Sequence, residues 1–309
     1  MTHDPIIGSP FLDCTRLLRA RIRDARDWGG PTPARTGDRG YGAPVTSQGL
    51  HARVIGDGPP ILFVHGIGGS GRYWGTGFDH LAASHRLAFV DLAGFGRSIS
   101  VPGPFGIDGH LARLDELRRR RLPGDLVIVG HSFGAALAFA SSAVWPEVTG
   151  VLAVGLPAFR SPAEARAHVG NLGALARWMA TEAWQARALC RAMCTVRPAV
   201  RLIAPLLAPG VPAHVARAGV EHTWPAYDAS FRALVDDTDV RGWVGARAVP
   251  RRVLQGADDP VCPPEVVRAV LDGLPVELTV TAGDHHLPLH RPRECLEALT
   301  ALLDPAAGR

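Results

Sequence analysis

Ser132 stands in Gly130-His131-Ser132-Phe133-Gly134. An apolar run, Leu126-Val127-Ile128-Val129, precedes it, and a helix-forming run, Ala135-Ala136-Leu137-Ala138-Phe139-Ala140, follows. Strand, abrupt turn and helix is the setting in which Gly-x-Ser-x-Gly carries chemistry. The two glycines leave room where a Cβ would strike a neighbouring element, so the turn can lift the hydroxyl clear of a sheet. The helix starting beneath it presents unpaired amides to a negatively charged reacting oxygen. A serine of ordinary acidity is a poor nucleophile. It needs a base, and the base needs an acid to orient it. Two later loops hold the candidates: residues 256–263 contain Asp258 and Asp259, and residues 282–288 contain Asp284, His285 and His286.

Such side chains, far apart in the chain, can meet only if strands deliver them to one edge. Short apolar runs at 50–55, 61–64, 87–90, 126–129, 151–154, 252–255 and 276–280 read as strands. Helical segments at 108–121 and 292–303, with the Ala-rich run after Ser132, alternate with them. This rhythm predicts an α/β fold whose mostly parallel sheet is flanked by crossover helices. Open parallel sheets present their chemistry in the loops beyond the strands' C-terminal ends, which is where Ser132 and both late loops fall. Between 161 and 246 strand signals vanish. Ala-rich helical pieces broken by Pro198, Pro205, Pro209, Pro212 and Pro225 carry Trp178, Trp184, Trp224 and Trp243. They read as a helical insertion over the sheet, with the tryptophans chiefly packing it.

Composition excludes several classes. The chain has 309 residues, 47% hydrophobic and 20% charged, enough for a sizeable core. All 33 basic residues are Arg, so lysine Schiff-base or phosphate-cradling chemistry is absent. The net charge of +4 is modest, and Arg118 to Arg121 reads as a solvated helix end. No nucleic-acid partner is expected. Five cysteines without a paired framework fit a reducing compartment, and Cys190 and Cys194 lack a second pair for a metal. With no long apolar window or signal region, the expectation is a cytoplasmic protein without an integral membrane segment. Residues 1–44 stand apart: a helix from about Ser9 to Trp28, apolar at Phe11, Cys14, Leu17, Leu18 and Ile22, then a Gly/Pro-rich linker. This extension is a candidate surface for packing on the body or on a second copy.

Four motifs together resemble the α/β-hydrolase family from about residue 45 onward: the His65-Gly66 loop (65–71), Asp91-x-x-Gly-x-Gly-x-Ser98, the Ser132 pentapeptide, and the two late loops. Ser, Asp and His follow one another in that family's chain order. The resemblance implies an α/β-hydrolase fold with a helical lid after the sixth strand. Its divisions are an extension (1–44), a core in two parts (45–160 and 247–309) and a lid (161–246). It implies Ser132 as nucleophile, Asp259 as acid with Asp258 second, and His285 as base ahead of His286, because Pro292 stands seven positions after His285. The backbone amides of Ile67 and Phe133 would form the oxyanion hole. His65 and His131 are expected to shape loops, Asp91 to fix the turn after its strand, and Asp284 to face water. His290 lacks the motif of a metal ligand.

The activity implied is a serine hydrolase acting on a carboxylic ester of a small or medium apolar acyl compound, without cofactor or metal. A carbon–carbon hydrolase or thioesterase would use the same triad. A non-hydrolytic cyclase or binding protein would need none of it. The serine sets the chain apart from relatives with an Asp nucleophile, such as haloalkane dehalogenases and epoxide hydrolases.

Overall fold

The computed structural model describes residues 49–181, 184–208 and 210–304. The expected N-terminal helix and linker lie outside these. Seven strands form one sheet, β1 (Ala52–Ile55), β2 (Pro60–Val64), β3 (Arg86–Val90), β4 (Leu126–His131), β5 (Val148–Val154), β6 (Arg251–Gly256) and β7 (Glu277–Thr281), in the order β1-β3-β2-β4-β5-β6-β7. β1 runs antiparallel to β3, and every other pair is parallel. The central strands are apolar without alternation because both faces are covered. Leu62, Val64 and Ile128 face one core layer, whereas Ile61, Phe63 and Val129 face the other. Phe63 lies 4.5 Å from Phe89, 5.2 Å from Phe78 and 5.3 Å from Trp74 by ring centroid. Each such aromatic pair adds roughly 0.5–1.5 kcal/mol beyond burial.

Helix α1 (Ile107–Arg121) precedes β4, and α2 (Phe133–Val144) follows it. The Ala-rich sequence of α2 lets it lie against the sheet, buried along nearly its whole length. Seven helices occupy the stretch between β5 and β6: α3 (Pro162–Gly170), α4 (Ala174–Ala180), α5 (Trp184–Thr195), α6 (Arg197–Leu207), α7 (Ala213–Ala218), α8 (Trp224–Asp236) and α9 (Val240–Ala246). Among the described residues the insertion thus follows the fifth strand, where the expectation placed it after a sixth. Helix α10 (Pro264–Leu271), which the sequence reading passed over, links β6 to β7, and α11 (Leu287–His290) and α12 (Pro292–Leu303) close the fold.

Chain direction across the sheet reverses between β2 and β4: β3 adds on one side of β2, and β4 to β7 add on the other. At such a switch point neighbouring loops diverge and leave a crevice beyond the strands' carboxyl ends. The loops after β2 and β4 meet there.

Candidate active site

Ser132 occupies the turn between β4 and α2 with φ 53° and ψ −120°. It is the one non-glycine with positive φ among the described residues. Such backbone costs about 1–3 kcal/mol and persists only where its surroundings impose it. Here the surroundings are three glycines. A Cβ on Gly130 would sit 2.1 Å from the Gly134 carbonyl oxygen, and one on Gly134 would sit 2.2 Å from that of Val64. A Cβ on Gly66 would come within 2.9 Å of the Ser132 Cβ. The loop after β2 is therefore pressed against the elbow. In that loop Gly69 N donates to Gly66 O, and in the elbow Ala135 N and Ala136 N donate to Ser132 O. These turns engage neither the Ile67 nor the Phe133 amide.

His65 and His131 hold loops together. The His65 Nδ1–H donates to Gly66 O (2.7 Å) and Nε2 accepts from Leu92 N (3.0 Å), tying the loops after β2 and β3. Burial lowers its pKa. His131 Nε2–H donates to His285 O (2.8 Å), and its ring stacks on Tyr73 at 4.6 Å. Burial, then the neighbouring His285 and His286, push its pKa well down. Asp91 accepts from Gly71 N (2.6 Å) and Arg97 N (2.8 Å), fixing the turn after β3. Burial alone would raise its pKa. The bond from His51, the charge of His65 and these two amides outweigh that and hold the carboxyl below its usual value.

Asp259 and His285 meet directly: Nδ1 lies 2.8 Å from Oδ2. Asp259 is buried and also accepts from Val261 N (2.8 Å), Cys262 N (2.9 Å) and Gln255 Nε2 (2.9 Å). Asp258 is exposed. Gly155, just past β5, makes room for this pair, since a Cβ there would stand 3.1 Å from the His285 ring. Val154 O, one residue earlier, accepts from Ser132 N at 3.0 Å. Serine and imidazole thus flank the same short stretch. Among the described residues His285 makes its side-chain hydrogen bond to Asp259, and the Ser132 hydroxyl makes none.

His286 turns elsewhere. Its Nδ1 accepts from the Tyr73 hydroxyl at 3.2 Å, and burial, then His285, lower its pKa to about 4. Asp284 does not simply face water, as expected from the sequence. Its Oδ1 accepts from His286 N (2.9 Å) and from His290 Nδ1 (3.0 Å). Burial opposes ionisation of Asp284, but the His290 bond prevails and brings its pKa to about 2, while the same bond raises that of His290. His290 Nε2–H also reaches Gly210 O of the insertion at 3.1 Å.

Two contributors escaped the sequence reading. Gln255, next to last in β6, donates to Asp259 while its Oε1 accepts from Leu156 N (3.1 Å). Its signal was an uncharged polar residue after the apolar pair Val253-Leu254. Tyr73, in a 3-10 turn (Gly71–Trp74), bridges toward His131 and His286 and had no motif to mark it. Among the described residues, donor atoms of Asp259, Cys262 and His285 lie within 4.8 Å of one another. Burial, then the Asp259 charge, push the Cys262 thiol well above the usual pKa.

The insertion is stitched to the rim. Gly96 N donates to Glu221 O (2.7 Å), Thr223 N donates to Gly94 O (3.2 Å), and Phe95 and His222 form an isolated bridge. None of the described helices is long and apolar enough to cross a membrane.

A family model described as "Alpha/beta hydrolase family" matches residues 61–298. The chain belongs to the alpha/beta hydrolase family. It is similar to the lipase LipV of Mycobacterium tuberculosis, 35% identical over 111 residues, which cover 35% of this chain and 42% of that one. It is also similar to the pimeloyl-[acyl-carrier protein] methyl ester esterase of Vibrio vulnificus, 33% identical over 95 residues, covering 30% and 34%. The chain thus spans less than half the length of these curated relatives. Among solved structures, E-2-(acetamidomethylene)succinate hydrolase superposes with a TM-score of 0.64 at 20% identity, over 82% of this chain and 95% of that one.

Proposed function

We propose that the protein is a serine carboxylic-ester hydrolase acting on a small or medium apolar acyl substrate through an acyl-enzyme. The observation that carries this reading is the buried Asp259–His285 hydrogen bond of 2.8 Å beside a strained serine elbow. With Nδ1 engaged by the carboxylate, the His285 Nε2 is left to take the Ser132 proton as the hydroxyl attacks the acyl carbonyl. The hydrogen bond from serine to imidazole forms with substrate bound, a tightening usual for catalytic contacts. The Ile67 and Phe133 amides receive the oxyanion. The protonated imidazole then gives its proton to the departing alcohol, and water, deprotonated by the same ring, cleaves the acyl-enzyme. The likeness to a lipase and to a methyl ester esterase supports the ester as the bond attacked. The helical insertion serves as the lid, and its Gly219 and Tyr227 approach the open side of Gly68 in the oxyanion loop.

Kinetics on nitrophenyl esters of increasing acyl length test this. Ser132→Ala should lower kcat/KM by about 10⁴-fold or more while leaving the melting temperature nearly unchanged. Retained turnover in that variant removes Ser132 as nucleophile. A thioester cleaved faster than every ester by the same Ser132-dependent route would move the substrate class but leave the triad.

A further inference from the structure

Helix α6 is built inside out. Its Ala204 is buried against the insertion, while Leu202, Ile203 and Leu206 stand on the outward face, 74%, 45% and 79% exposed. Spacings of one, three and four residues keep these three on one side of the helix. Beside it, α5 turns Trp184 outward, 74% exposed, together with Arg187 and Arg191. The tryptophans of the insertion are expected chiefly to pack it, with one or two reaching substrate; Trp184 instead stands in solvent. From position 184 to 208 the sequence holds four arginines and no carboxylate. Arg197 and Arg201 are spent inside the molecule, on His222 O at 2.7 Å and on Glu221 at 2.8 Å. Arg187 and Arg191 remain on the outer face.

Four large apolar side chains exposed on two consecutive, touching helices are unusual and mark a contact. Charge decides which contact. A second copy facing itself here would oppose arginine to arginine. The chain's own N-terminal stretch from Ser9 to Trp28 carries five arginines against three aspartates, so it too has the wrong sign. Leucine and tryptophan projecting between exposed cations is the composition of helices that lie in the headgroup boundary of anionic lipid.

We propose that the outward face of α5 and α6 docks on an anionic lipid surface. Leu202, Ile203, Leu206 and Trp184 enter the acyl boundary, and Arg187 and Arg191 pair with lipid phosphates or carboxylates. The proposal goes beyond the esterase reading and does not depend on it, because its readout is binding and not turnover.

The test is sedimentation of the full chain with vesicles of phosphatidylcholine alone or with about one-third phosphatidylserine, at low and high salt. Binding to the mixed vesicles should exceed binding to neutral ones by about tenfold and fall with salt. Leu202→Glu with Leu206→Glu should weaken binding by about tenfold or more, and Arg187→Gln with Arg191→Gln by about fivefold or more with a flatter salt dependence. Should the double glutamate variant fail to fold, quenching by brominated lipid gives a second reading: it should drop in Trp184→Phe. Equal or absent binding to the two vesicle types overturns the proposal, as does undiminished binding by a folded glutamate variant. So does a lipid-free chain in which a cysteine placed by Leu206→Cys is shielded from maleimide, which would mean that protein already covers the face.

Discussion

Glycines of the site rim differ from some of those in the helical insertion. At the rim, Gly66, Gly130 and Gly134 have backbone or side chains of other elements within 2.1 to 2.9 Å of where a Cβ would stand. In the insertion, Gly170 and Gly245 would meet nothing within 4 Å. The first region is specified by close approach, and both carboxylate oxygens of Asp259 have partners. The second is assembled from short helices, presents leucines and a tryptophan to solvent at its outer side, and joins the core through buried residues such as Ala226, Ala233, Val240 and Val244 and through bonds such as those of 94–96 with 221–223. Chemistry needs fixed atoms, whereas substrate entry and surface contacts tolerate change. One chain meets both needs by placing them on different elements.

The strongest attack on this contrast is at the acid. Asp259→Asn keeps the volume but leaves the His285 ring without its anionic partner, and should cost about 10³–10⁴-fold in kcat/KM on nitrophenyl esters. A loss below about tenfold would mean that the carboxylate does not orient the base. Next is Gly130→Ala, whose methyl must displace the Gly134 carbonyl. It should destabilise by about 3 kcal/mol or more, read as a fall in the urea midpoint.

Acid should expose a feature that the regions share. His286 at the rim and His222 in the insertion both have pKa values lowered to about 4 by burial, against 6.5 when free. The unfolded chain therefore binds their protons first, so stability is complete above pH 6.5 and is lost as pH falls through 6.5 toward 4. His222→Gln and His286→Gln should each flatten that decline by about 1–3 kcal/mol in urea melts across the interval. A pH-independent midpoint in the wild type would contradict the burial of these rings. The smallest effect belongs to the open glycine: Gly245→Ala, inside α9, should stabilise by about 0.5–1 kcal/mol, seen as a small rise in melting temperature.

The sequence disclosed the rim better than the insertion, for reasons visible in individual residues. Buried parallel strands must be apolar without interruption, so Ile61 to Val64 and Ile128 with Val129 announced themselves. The elbow glycines were readable because only a residue without a side chain fits there. The choice of His285 over His286 leaned on family spacing, and His285 is the one of the two whose ring bonds Asp259. Other features depend on partners distant in the chain, which no local pattern records. The antiparallel pairing of β1 and the hydroxyl of Tyr73 shared between two imidazoles are of this kind. The outward leucines of α6 are hidden from a sequence reading in another way. Their periodicity identifies a helix and an apolar face, but periodicity alone does not say whether that face turns toward protein or away from it.

The cradle of Asp259 has a consequence for how the site is assembled. Apart from His285, every donor to that carboxylate lies between Gln255 and Cys262, a span of eight positions. Such a short loop closes at small entropic cost. The carboxylate's neighbours are thus gathered within one short loop, which Ala257 N and Asp258 N tie to Thr281 O and Gly283 O, so the strand end that carries the imidazole is clamped to the loop that receives it.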